Sequence, residues 1–126
     1  MSAGDTIYLV DDDASVRRGL GRLLQAAGYA VVSCDTPEAF LALMPPTTPA
    51  CLLLDVRMPN MTGLELQGAL LDAGYCPPIV MMSGHAAVAT TECALSAGAI
   101  AVLRKPVELG TLLVALERGL ARNRVS

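Results

Sequence analysis

The chain has 126 residues, 53% of them apolar, with one Phe, three Tyr and no Trp, and a formal net charge of −3. That length fits one domain with an aliphatic core and excludes a disordered chain. No basic stripe offers counterion replacement on a nucleic acid, no apolar run reaches the ~18 residues of a membrane span, and MSAGDT is no signal peptide, so a cytoplasmic location is expected.

Five short apolar runs recur along the chain: IYLV (7–10), AVVSC (30–34), CLLL (51–54), IVMM (79–82) and IAVL (100–103). They are continuous rather than alternating, the pattern of strands buried on both faces. Between them lie segments with helical spacing. Val16, Leu20, Leu23, Leu24 and Ala27 form a stripe closed by Gly28. Thr36 followed by Pro37 reads as a cap with proline at the first helical position, opening a short helix to Met44. Further helices are expected over 64–73, over 87–97 and from Leu109 onward, where Leu109, Leu112, Leu113, Leu116 and Leu120 line one face. Five strand–helix alternations predict a three-layer α/β/α sandwich around a parallel sheet, and right-handed crossovers favour the flavodoxin-like order 2-1-3-4-5. PPTTP (45–49) reads as a loop, and no internal repeat is present.

In an open parallel sheet, chemistry gathers beyond the carboxyl ends of the strands. The first run ends in Asp11, Asp12 and Asp13, the second in Asp35, the third in Asp55, the fourth in Ser83 and the fifth reaches Lys105. Like charges this close repel, so a partner cation is expected. Asp11 and Asp12 from the first strand, with Asp55 from its neighbour, make a hard oxygen pocket suited to Mg²⁺. Asp13 is assigned to the opening of the first helix, where negative charge suits the dipole. A desolvated carboxylate at Asp55 is placed to attack phosphorus and hold an acyl phosphate, with Ser83 and Lys105 supplying a hydroxyl and an ammonium to its oxygens. Lys105 is the one lysine among nine basic residues. Pro106 follows it, and an X–Pro bond accommodates the cis form, which would aim Lys105 inward.

Other residues read more plainly. Cys34, Cys51, Cys76 and Cys93 form no paired metal motif and are expected as buried free thiols. His85, the single histidine, reads as a solvated loop residue. Met58, Met61, Met81 and Met82 read as core or loop filler.

In order and spacing, VDDD, LLLDVRMPNMTGLEL, VMMSGH, AGA and RKP resemble the receiver domain of two-component response regulators, over roughly residues 6–122. SGHAAV and RMPNMTGLEL are especially similar to the FixJ-like subgroup, whose members usually carry a C-terminal helix-turn-helix domain. The resemblance implies a receiver at 5–122 with tails at 1–4 and 123–126, the effector domain being absent from this chain. It implies Asp55 as phosphoacceptor, Asp12 as a direct Mg²⁺ ligand, Asp11 acting directly or through water, and the backbone carbonyl of Arg57 on the metal. Ser83 would be the switch hydroxyl and Lys105 the partner of the phosphoryl group, while Met58, Pro59 and Gly63 shape the intervening loop. A sensor histidine kinase would be the donor. Phosphorylation would alter the face of the fourth helix, fifth strand and fifth helix, often used for homodimers, and regulate transcription through the missing domain. The domain would catalyse its own phosphorylation and hydrolysis without being an enzyme in the turnover sense.

Two positions depart from that pattern. Val102 stands where receivers usually carry Tyr or Phe, and Val107 where Phe is common. Rival readings are weaker. An aspartyl phosphatase of the haloacid-dehalogenase type wants a second acid two residues after the nucleophile, where this chain has Arg57. A flavin-binding module would meet repulsion between three aspartates and the cofactor phosphate. A receiver that signals without phosphate would not be expected to keep Asp11, Asp12, Asp55, Ser83 and Lys105 together.

Overall fold

Strand and helix alternate throughout the computed structural model, which describes residues 5–43, 50–58, 61–75, 77–84 and 88–125. In chain order the elements are β1 (Thr6–Val10), α1 (Ala14–Ala26), β2 (Ala30–Cys34), α2 (Pro37–Leu41), β3 (Ala50–Asp55), α3 (Gly63–Asp72), β4 (Ile79–Ser83), α4 (Val88–Ser96), β5 (Ala101–Arg104) and α5 (Leu109–Val125). All four strand pairings are parallel, in the order β2-β1-β3-β4-β5. The expected sandwich and strand order are therefore found.

Alternation along the strands sorts side chains into two core layers. Ile7, Leu9, Cys51, Leu53, Val80 and Met82 pack with Leu24 of α1 and Leu112, Leu116 and Leu120 of α5. Val10, Leu52, Leu54, Ile79 and Met81 pack on the opposite face with Phe40 of α2, Leu66 and Leu70 of α3, and Ala94 of α4. Burying a Leu or Phe side chain contributes about 2 kcal/mol, so these two layers supply the main driving force. Phe40 meets Tyr8 edge-on, with ring centroids 5.5 Å apart.

The helix ends follow their local sequence. Asp13 caps α1 by accepting from the N–H groups of Ser15 and Val16, as expected. Its carboxyl is held below the ordinary value by those two backbone bonds. Thr36 caps α2 with Pro37 in the first turn. Thr62 and Glu65 exchange bonds in a capping box that opens α3. Gly28, Gly74 and Gly98 each follow a helix at φ of 100°, 79° and 106°, a region where a Cβ is strained.

Four expectations need correction. The strands are not all buried on both faces: the edge strands β2 and β5 are only partly covered, because each has a single neighbouring strand. α2 stops at Leu41 rather than Met44, as Leu43 N–H turns back to the Phe40 carbonyl at 2.9 Å in a tightened last turn. The fifth strand begins one residue late, although Ile100 N–H already donates to the Ile79 carbonyl at 2.7 Å. Cys93 is exposed on α4, since Ala94 takes the core-facing position beside it. Cys34 and Cys51 are buried free thiols, and burial pushes the Cys51 thiol up to about 12. Met58, Met81 and Met82 lie in the core and Met61 packs against it. Met44, the 45–49 loop, Cys76, Pro59 and His85 fall outside the described residues.

Candidate functional site

The site lies at the carboxyl rim, where β1 and β3 run side by side with Val10 opposite Leu54. One step further, the chain of β1 delivers Asp11 and β3 ends in Asp55. Both continue the alternation of Leu9 and Leu53, so both belong to the α1/α5 side of the sheet. Lys105, one residue past β5, continues the alternation of Leu103 and reaches the same side. Its Nζ donates to Asp11 Oδ2 at 3.1 Å and pairs with Asp55 Oδ2 at 3.3 Å. The Lys105–Pro106 peptide is cis. Ser83 is buried and shares the alternation of Met81, which places it on the α3/α4 side; its carbonyl accepts from the Lys105 N–H at 2.8 Å.

Asp11 and Asp55 are both buried, at 0% and 6% exposure, whereas Asp12 is exposed. Carboxylate oxygens of Asp11, Asp12 and Asp55 all lie within 4.8 Å of one another. Burial first, then the charge of Asp11, pushes the Asp55 carboxyl above its ordinary value, with Lys105 and the Arg57 N–H pulling the other way. Burial pulls the Lys105 ammonium down, but its contacts with Asp11 and Asp55 outweigh that and hold it above the ordinary lysine value. Three carboxylates therefore face one ammonium.

That surplus of negative charge is the test for a cation. Ligand oxygens of Mg²⁺ sit about 2.1 Å from the ion, so opposite ligands are about 4 Å apart. The spacing of these acids fits one ion with a small adjustment or a water bridge to one of them. Hard oxygen donors with part of the rim open to solvent match the preference of Mg²⁺ for few carboxylates and several waters.

The backbone around the acids is pinned. Asp13 N–H donates to Asp11 Oδ1 at 2.9 Å, and Arg57 N–H to Asp55 Oδ1 at 3.2 Å. Gly63 at the start of α3 donates its N–H to the Val56 carbonyl at 2.8 Å, and a Cβ there would lie 2.9 Å from the Asp55 carbonyl oxygen. This close approach explains a glycine at that position. The Arg57 side chain is exposed. Asp35, at the end of the edge strand β2, is exposed. The structure thus brings together Asp11, Asp12, Asp55 and Lys105, with Arg57 contributing backbone contact to the group.

Sequence reasoning missed one residue beside the cluster. Arg17, four residues after the cap Asp13 on α1, donates through Nη1 to the Asp11 carbonyl at 2.6 Å. In ASVRRGL it stands next to Arg18, and nothing in the sequence distinguishes the two.

The model of the response regulator receiver domain matches residues 7–117. The chain belongs to this family. Among curated relatives, the receiver is similar to the transcriptional regulatory protein FixJ of Rhizobium meliloti (strain 1021), 37% identical over 90% of this chain and 55% of that protein. It is likewise similar to the response regulator protein TmoT of Ectopseudomonas mendocina, 39% identical over 90% of this chain and 52% of that protein. The chain thus spans about half the length of these relatives. Among solved structures, the response regulator StyR superposes with a TM-score of 0.90 at 44% identity, covering 97% of this chain and 62% of that one. FixJ-N gives 0.85 at 36% identity, covering 92% and 93%. The receiver is FixJ-like, as its motifs suggest, and no helix among the described residues is long and apolar enough to cross a membrane.

Proposed function

We propose that this receiver takes a phosphoryl group from a sensor histidine kinase onto Asp55 and, in doing so, switches a protein-interaction face. An Asp55 oxygen attacks phosphorus of the donor phosphohistidine, the P–N bond breaks, and the imidazole leaves, giving an aspartyl phosphate. The observation that carries this reading is the cluster itself: three acids whose oxygens lie within 4.8 Å, with the Lys105 ammonium 3.3 Å from Asp55. Asp11, Asp12, Asp55 and the Arg57 carbonyl would hold Mg²⁺, which supplies charge neutralisation for the transferred oxygens. Lys105 exchanges its bond to Asp55 for one to the phosphoryl group, retaining Asp11. Ser83, on the other side of the sheet edge, turns its hydroxyl to another phosphoryl oxygen.

The output follows from the same residues. Drawing Ser83 and Lys105 toward the phosphoryl group biases a two-state equilibrium of β4, β5 and α4. The α4–β5–α5 face is the proposed homodimer surface, and it exposes Leu95 and Val114 at 45% and 62%. The receiver unit at 5–122 would work in the cytoplasm without touching nucleic acid, and transcription would be regulated through a separate DNA-binding effector domain. Self-phosphorylation and self-hydrolysis are its chemistry; it does not turn over a separate substrate.

Intact-mass analysis with acetyl phosphate tests the acceptor assignment. Wild type should gain the mass of one phosphoryl group only with divalent metal, and Asp55→Asn should gain none. A gain of equal size in Asp55→Asn would refute the assignment.

A further inference from the structure

Asp12 is the weakly held member of the cluster. Asp11 receives the Asp13 N–H and the Lys105 ammonium, and Asp55 receives the Arg57 N–H and the same ammonium. Asp12 is exposed, so the direction of its carboxylate depends on the backbone that carries it. That backbone is the peptide joining Asp11 to Asp12, and its carbonyl oxygen, that of Asp11, takes the Arg17 guanidinium at 2.6 Å. The Asp11 N–H is fixed as well, donating to the Cys34 carbonyl at 3.2 Å. A charge-assisted bond of this length is among the stronger ones available to a backbone carbonyl. Arg17 is in turn anchored on α1, where its own N–H donates to the Asp13 carbonyl at 3.1 Å.

We infer that Arg17 is a positioning residue for the divalent cation: by holding the Asp11 carbonyl it sets the plane of the Asp11–Asp12 peptide and aims the Asp12 carboxylate into the cluster. This rests on the phosphoacceptor reading above. The sign of its effect separates positioning from plain electrostatics. A guanidinium beside three carboxylates repels an incoming cation, so by charge alone its removal would tighten metal binding. Positioning predicts the opposite, because an unfixed Asp12 must be ordered at the expense of binding energy.

The test is Mn²⁺ binding to the full chain, followed by loss of the free-ion electron paramagnetic resonance signal, with Mg²⁺ as competitor. Arg17→Met keeps the apolar stem and removes the donor, and its affinity should fall about tenfold, the usual loss when an outer partner of a metal ligand is removed. Arg17→Lys keeps the charge without the planar fork and should fall less. Arg18→Met removes the same charge from the neighbouring exposed position and should bind as tightly as wild type or tighter. Melting in EDTA, run alongside, identifies which variants are folded. Unchanged or tighter binding in every folded variant at position 17 overturns the inference and leaves the phosphoacceptor reading standing. Failure of wild type to bind either ion overturns both.

Discussion

The β1–β3 side of the rim and the β4–β5 side are built to different standards. On the first, Asp11 and Asp55 sit at 0% and 6% exposure, each held by a backbone N–H, and α3 closes on Asp55 through a glycine too tight for a Cβ. On the second, β5 is a partly exposed edge strand. α4 presents Ala94 to the core, and Leu95 lies 45% exposed. A buried bond from Gln67 Nε2 to the Ala94 carbonyl, 3.2 Å, ties α4 to α3. The proposed chemistry, which needs carboxylates fixed within a fraction of an ångström, would sit on the first side. Motion is easier at β5 and the outer face of α4, which are partly exposed. Val102 belongs to that looser side, opposite Met81, and a β-branched side chain has no ring to rotate. On the proposed reading, any switch here would use backbone and α4 shifts rather than an aromatic rotamer.

Lys105 joins the two sides, and its removal should give the largest effect. Lys105→Met leaves Asp11 and Asp55 buried without their ammonium and should destabilise the metal-free protein by about 2–3 kcal/mol at neutral pH. The pH dependence has a definite sign. The Asp55 carboxyl lies above its ordinary value in the folded state, so in the window between the unfolded-state and folded-state values the folded form keeps a proton that the unfolded form releases. Stability from that proton is present at low pH and is lost as pH rises through the folded-state value. The deficit of Lys105→Met should accordingly shrink on acidification and also on adding Mg²⁺. Urea melts at several pH values check both, and a deficit that grows with acid would contradict the charge account.

Gly63→Ala probes the rigid side alone. A Cβ 2.9 Å from the Asp55 carbonyl oxygen has backbone for a neighbour, so β3 or α3 must move, costing about 1–3 kcal/mol. Phosphorylation should slow with it, because the displaced backbone carries Asp55. A stable variant with an unchanged phosphorylation rate would show that the rim is less rigid than described.

Gln67→Leu probes the loose side. It removes the bond to Ala94 at a cost of about 1 kcal/mol and should raise amide hydrogen exchange in α4 while sparing β1 and β3. Exchange rising equally on both sides would erase the distinction between them.

Much of this was legible beforehand, for particular reasons. Buried central strands read as unbroken apolar runs, and a parallel sheet forces their following residues onto one rim, so Asp11, Asp12, Asp55 and Lys105 converge without knowledge of a single distance. The edge strands looked the same in sequence, because burial depends on neighbours rather than on composition. Cys93 was misplaced because α4, rich in small residues, gives no clear apolar face. The double contact of Lys105 depends on a register between β4 and β5 that the sequence does not encode locally. Arg17 escaped notice because its partner is a backbone carbonyl, and a carbonyl has no letter in the sequence.

The central claim is that one cation and one phosphoryl group share the space between Asp11, Asp12, Asp55 and Lys105. A crystal structure of the protein with Mg²⁺ and beryllium fluoride, a phosphoryl mimic, tests it most directly. The account predicts beryllium bonded to an Asp55 oxygen, the metal held by Asp12, Asp55 and the Arg57 carbonyl with Asp11 directly or through water, and Lys105 turned onto a fluoride while retaining Asp11. Beryllium fluoride or metal seated away from Asp55, with Lys105 still bridging the two acids, would contradict it.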